Sequence, residues 1–147
     1  MKKRILMGVL VMMVALSSFA HTGEEVNENV LRSFNKEFAG AQDVSWEIGK
    51  TMLKATFRIN DQVMFAYYRE QGDLVAVTRN IVSAQLPISL LADLKKNYQD
   101  YWITDLFELS ADDSSNYYLT LQSADQTLVL KSSGNHGWQL YKKQRSS

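Results

Sequence analysis

The sequence predicts an α+β fold: a tandem repeat of a helix followed by about four antiparallel strands, with both helices packed on one face of a single antiparallel sheet. Three observations carry this expectation. Apolar residues recur at helical spacing in two short stretches, segments alternating with period two follow each stretch, and the two halves match at a fixed offset. Val30, Leu31, Phe34 and Phe38 fall sixty positions before Leu90, Leu91, Leu94 and Tyr98, and the same offset carries Phe57 and Ile59 onto Tyr117 and Leu119. Asp61-Gln62 then matches Asp125-Gln126 at sixty-four, a small insertion. One such unit alone leaves a sheet edge and a helix side uncovered, so the pair is expected to pack as one domain.

Each element has a local reason. Thr22-Gly23-Glu24-Glu25 fits a capping box, and Glu24, Glu25 and Glu28 suit the positive end of a helix. Val26, Val30, Leu31, Phe34 and Phe38 share one side of that helix, and Gly40 stops it. A short strand from Val44 to Ile48 precedes a Gly49-Lys50 turn. Leu53, Ala55, Phe57 and Ile59 then alternate with Met52, Lys54, Thr56 and Arg58, which makes a strand with one apolar face and one mostly polar face. Asn60-Asp61 turns the chain into a returning strand, Val63 to Arg69, and Gln71-Gly72-Asp73 turns it into another, Leu74 to Ile81. Pro87 opens the second helix, where its missing amide would have had no intrahelical partner. Strands over Ile103 to Leu109, Tyr117 to Gln122, Thr127 to Lys131 and Trp138 to Lys142 complete the second half, bounded by Asp, Ser, Asn or Gly. Lys142-Lys143-Gln144-Arg145 reads as a tail that frays in solvent.

Composition narrows the function classes. Of the 147 residues, 16 are Lys or Arg and 16 are Asp or Glu, with one proline and no cysteine. Met1-Lys2-Lys3-Arg4, the apolar run Ile5 to Leu16 and Ser17-Ser18-Phe19-Ala20 read as a secretory signal at 1–20, too short for a membrane span. Its removal would leave a single domain at 21–147, with repeats at about 22–82 and 86–143, a charge of −3 and no membrane anchor. A nucleic-acid binder normally carries the opposite sign. Without cysteine, the chain has no disulfide, no Cys-ligated zinc and no thiol chemistry.

The chain resembles the secreted PepSY-like family described as β-lactamase-inhibitor-like and common in Bacteroidetes. The residues that carry the resemblance are Phe38, Ala41-x-x-Val44-x-Trp46, Phe65-Ala66-Tyr67-Tyr68, Gly72-Asp73-Leu74, Leu86-Pro87 and Asn97-Tyr98-x-x-Tyr101-x-Ile103. They span roughly Val30 to Lys142, and Ala39-Gly40 stands where the family pattern often has a proline. The resemblance implies a tandem α+β fold similar to the β-lactamase inhibitor proteins (BLIP), a periplasmic or secreted location and no enzymatic activity. Fold analogy by itself does not assign function.

No catalytic motif is present: there is no Gly-x-Ser-x-Gly, Ser-x-x-Lys, His-Glu-x-x-His or phosphate-binding glycine loop. His136, in Gly134-Asn135-His136-Gly137, is expected in a tight solvent-exposed turn. His21 would become the mature N-terminus, where α-amine and imidazole together chelate copper, but such a site usually needs a second imidazole. Asp112-Asp113-Ser114-Ser115-Asn116 gathers oxygen ligands without calcium-loop spacing and reads as a turn. No cofactor and no metal site is therefore assigned.

Aromatics on the sheet offer the best remaining clue. With Leu53, Ala55, Phe57, Tyr67, Tyr117, Leu119, Leu121, Trp138 and Leu140 turned inward, strand parity turns Lys54, Thr56, Arg58, Tyr68, Tyr118, Thr120, Gln122 and Tyr141 outward. Tyrosines mixed with cations on an open sheet face resemble the composition of binding surfaces. Tyrosine also favours strands for its own reasons. Lys54, Arg58, Tyr68, Tyr118, Gln122 and Tyr141 are the candidate binding residues, and Trp46, Trp102 and Trp138 are assigned to the core or its margin. The function expected is an exported, non-enzymatic module that binds a protein or peptide through this face, inhibition included. The alternative is an envelope sensor of a small ligand or metal.

Overall fold

The computed structural model describes residues 26–134 and 137–145. The proposed signal, the Thr22 capping box, His21 and His136 lie outside the described residues. The elements run α1 (Glu28–Glu37), β1 (Gln42–Ile48), β2 (Leu53–Ile59), β3 (Gln62–Tyr68), β4 (Leu74–Asn80), α2 (Ile88–Asn97), β5 (Trp102–Ala111), β6 (Ser114–Gln122), β7 (Gln126–Ser132) and β8 (Gln139–Arg145). A short 3-10 turn, Ser83–Gln85, leads into α2. The strands follow chain order, β1 to β8, in one antiparallel sheet, so the class is α+β as expected. Compactness divides the chain into a unit ending at Val77 and another starting at Thr78, with the boundary inside β4.

In the first unit, α1 starts later than the capping-box reading placed it. Asn27 is the N-cap, its Oδ1 accepting from the Asn29 N–H at 2.8 Å, and Val26 precedes the helix. Asn competes well for that position because its side chain satisfies an amide with no intrahelical partner. Val30 and Phe34 are buried on Leu53, Ala55, Phe57, Ala66 and Tyr68. The Phe34 ring meets Phe57 edge-on at 5.0 Å and Trp46 at 5.2 Å, so Phe57 and Trp46 lie where expected. Gly72, in the β3 to β4 turn at φ +98, passes so close to α1 that a Cβ would sit 2.8 Å from the Asn29 carbonyl oxygen.

The core of the second unit is built around leucine. Leu90 and Leu94 of α2 pack on Ile81, Leu106, Leu119, Leu121, Leu128 and Leu130, with Leu91, Tyr98, Tyr117 and Trp138 partly buried against them. Pro87 is the N-cap of α2 and not its first turn, and its carbonyl accepts from Leu90 and Leu91. The Trp138 indole N–H donates to the Leu90 carbonyl at 3.1 Å, holding the segment before β8 on the helix. The expected last strand is observed as β8 but runs on through the expected fraying tail: Lys142, Lys143, Gln144 and Arg145 pair with Val129, Leu128, Thr127 and Gln126. Backbone pairing with β7 outweighs the repulsion of like charges because their side chains stay in water.

Candidate binding surface on the sheet

Two-residue turns fix which side chains share a face. Asn60 and Asp61 both take positive φ, 50° and 63°, and close the β2 to β3 hairpin with Ile59 opposite Gln62. Turns of that kind match strand twist and allow no slack in register. Leu53, Ala55 and Phe57 therefore stand opposite Tyr68, Ala66 and Met64, while Lys54, Thr56 and Arg58 stand opposite Tyr67, Phe65 and Val63. Tyr68 accordingly faces α1 and is 0 % exposed, contrary to the expectation that it points outward. Tyr67, expected inside, lies on the other face, and it too is buried. Register counted from the Asn60-Asp61 turn places Tyr68 inside; taking Tyr67 as the inward residue shifts the strand by one position and inverts both.

On the outer face of this unit, Lys54 and Arg58 are already partnered. Lys54 Nζ lies 3.3 Å from the Glu47 carboxylate directly across β1 and 4.9 Å from the Phe65 ring centroid. Asp43 occupies a bulge in β1 at φ +53, and its Oδ2 accepts from Arg58 Nε at 2.8 Å, with Asp61 3.9 Å away. Exposed pairs of this kind stabilise a fold by at most about 1 kcal/mol, so partner groups can displace them at small cost.

In the second unit the parity expected of β6 is observed: Leu119 and Leu121 face α2, while Tyr118, Thr120 and Gln122 turn away. The exposure expected of Tyr118 is not. It is 2 % exposed, stacked on Phe107 at 5.2 Å, met edge-on by Tyr141 at 5.9 Å and covered by Lys131 Nζ 5.6 Å from its ring. Leu109 and Asn116, paired on that same side, are buried as well. Aromatic side chains of neighbouring strands pack on one another whichever way they point. Gln122 and Tyr141 remain half-buried on this face.

Two apolar assignments also change. Leu140, expected inside, is 60 % exposed, because β8 has β7 on one side and no described strand on the other. Trp102, assigned to the core or its margin, is 52 % exposed and stands opposite Gln122. Trp102 stands at the very start of β5, whereas Trp46 lies further along β1 and packs against the first cluster.

Burial sets the acid-base character of the two hidden tyrosines. It pushes the Tyr68 hydroxyl up to about 12, the Glu37 carboxylate adding to the effect and Ser33 opposing it. Among the described residues that hydroxyl has no partner at hydrogen-bond geometry. Burial likewise pushes Tyr118 up to about 12, with Tyr141 adding. Of the Asp112 to Asn116 stretch read as a turn, only Asp112-Asp113 turns, with φ of 49° and 60°, while Ser114, Ser115 and Asn116 already pair in β6. Among the described residues, no three His, Cys, Asp or Glu side chains converge to hold a metal. A concavity of about 480 Å³ between α1 and the β3 to β4 turn is lined by Arg32, Lys36, Glu37, Gln71 and Asp73 among others, a polar and charge-balanced surface. No described helix is long and apolar enough to cross a membrane.

No family model and no curated protein matches the chain. Solved structures do. A DUF2874 family protein from Bacteroides ovatus ATCC 8483 is similar at a TM-score of 0.72 and 15% identity, over 84% of this chain and 89% of that one. A BLIP-like protein from Bacteroides fragilis NCTC 9343 gives 0.71 and 13%, over 83% and 87%. The fold is BLIP-like. A third match, at 0.70 and 9% over 83% and 90%, is a protein from Bacteroides eggerthii DSM 20697 whose periplasmic assignment is conjectural. At these identities the similarity establishes the fold and leaves function to the side chains.

Proposed function

We propose that this chain is an exported, non-enzymatic binding module of PepSY-like, BLIP-like type, whose sheet face turned away from the helices takes a protein or peptide partner. Action as an inhibitor falls within this reading, and the periplasm or the cell exterior is where it would operate. What carries it is the chemistry of the outer face. Arg58 and Trp102 are side-chain types that anchor interfaces, both are accessible, and Lys54, Gln122 and Tyr141 share their faces. Tyr68 drops out of the surface, and Tyr118 contributes to it only as the support beneath Tyr141. The leader-like pattern of residues 1–20 supports export.

The same reading takes the molecule as two copies of one helix-and-strand unit. Both helices have ten residues and begin sixty positions apart, at Glu28 and Ile88. Each ends alike, the Phe38 N–H donating to Phe34 and the Tyr98 N–H to Leu94. β1 and β5, the first strand after each helix, both carry a bulge near their start.

Affinity capture from envelope extracts tests the surface, comparing wild type with Arg58→Ala/Trp102→Ala. Both residues are accessible, so the variant should fold with an unchanged circular dichroism spectrum. We expect specific partners to be lost from the variant. An identical partner set from the two proteins would remove this face from the proposal.

A further inference from the structure

The sequence Lys142-Lys143-Gln144-Arg145 becomes informative once it is a strand. β8 is hydrogen-bonded to β7 on one side and, among the described residues, to nothing on the other, so its outer backbone N–H and C=O groups are open along seven residues. Its charges differ from those of the other strands. Lys54 and Arg58 on β2 and Arg79 on β4 each meet a carboxylate, and Lys131 on β7 lies over the Tyr118 ring. Lys142, Lys143 and Arg145 on β8 are exposed and have no ion-pair or ring partner among the described residues.

We infer that β8 is a strand-addition site for an extended acidic segment of another protein, one carrying carboxylates at alternate positions. The spacing follows from register. Lys143 and Arg145 stand opposite Leu128 and Gln126, two residues apart, and so share one face of the strand. A segment added along β8 would supply backbone hydrogen bonds, and side chains at its positions i and i+2 would meet those two cations. Lys142 projects to the other face, opposite Val129. Leu140, exposed at the start of the strand, offers an apolar contact at the end of the site. Lysine on an edge strand also guards against aggregation, a role that needs no partner and predicts no saturable binding.

The site rests on the general reading of this chain as a binding module, though not on the outer face. The test uses the whole chain and a labelled peptide alternating Glu and Thr, followed by fluorescence anisotropy, with amide hydrogen exchange to locate the contact. We expect saturable binding that protects β8 amides, and a weakening of at least about tenfold in Lys143→Glu/Arg145→Glu, from two reversed cross-strand pairs. Arg58→Ala/Trp102→Ala should bind this peptide like wild type, which separates failure of the edge from failure of the face. A peptide of identical sequence with alternate backbone amides N-methylated keeps the charge and loses the donors, and should bind at least about tenfold more weakly. Equal binding of the methylated peptide would reduce the attraction to charge alone and overturn strand addition. Absence of saturation would leave the cations as edge guards and overturn the proposal.

Discussion

A tyrosine hydroxyl buried without a hydrogen bond costs about 1 to 3 kcal/mol, and that of Tyr68 has no partner among the described residues. Tyr68→Phe should therefore leave stability unchanged or raise it by about 1 kcal/mol, whereas Tyr68→Ala should cost about 3 to 5 kcal/mol by emptying the space beside Phe34. Urea titrations of both variants check this, and a destabilised Tyr68→Phe would mean that the hydroxyl has a partner. Tyr118→Ala belongs with the core losses too, at about 3 kcal/mol or more, since Phe107, Tyr141 and Lys131 enclose that ring. Both hydroxyls also make stability depend on alkaline pH. Free tyrosine loses its proton near pH 10, and these hold theirs up to about 12. The native state then binds protons that the unfolded chain has released, so the stabilisation is fully present below about pH 10 and is lost as pH rises towards about 12. Urea midpoints should fall across that window, and Tyr68→Phe/Tyr118→Phe should flatten the decline.

Turns and caps decide the elements. Asp61 holds φ +63 in a turn whose preferred residues are Asn followed by Gly, so Asp61→Gly should stabilise the β2 to β3 hairpin by about 0.5 kcal/mol. The loss of the 3.9 Å contact with Arg58 subtracts little from this. Gly72→Ala should act in the opposite sense, because positive φ and a Cβ 2.8 Å from the Asn29 carbonyl are both unfavourable. A loss above about 1 kcal/mol in thermal unfolding is expected, and a neutral result would show that α1 can move off the turn. Asn60-Asp61 is a turn by its residue types, and its two-residue length implies that 64, 66 and 68 oppose 57, 55 and 53. The information that Tyr68 faces the helix was thus present, provided register was counted from the turn.

At the scale of the whole molecule, the apolar residues form distinct clusters, one around Phe34 and Phe57 and one around Leu90 and Leu119. Ile59 packs on the first and Ile81 belongs to the second, and the two clusters share no residue. Ile59→Val and Ile81→Val should each cost about 0.5 to 1.5 kcal/mol, and the double variant should equal their sum within about 0.5 kcal/mol. Chemical denaturation of the three variants measures this directly. A coupling beyond that margin would show that the clusters strain a common element.

By itself the sequence determined the class, the element order and the inward faces of α2, β2 and β6, and of α1 apart from Leu31, which is exposed, because periodicity in apolar residues is a local property of the chain. It also determined the turns at Asn60-Asp61 and Asp112-Asp113, whose residue types tolerate positive φ. Exposure on the opposite face was decided only by the tertiary structure. Tyr118 points away from α2 as its parity requires, yet it is buried because Phe107, Tyr141 and Lys131 arrive from three other strands. Trp102 and Leu140 are apolar and exposed for the complementary reason: no described residue from elsewhere covers the start of β5 or the edge at β8. The basic run at 142–145 became a strand because β7 offered it a ladder of hydrogen bonds, a partner that no local pattern names. Which way a side chain points is set by its neighbours along the chain; whether water reaches it is set by residues far away in sequence.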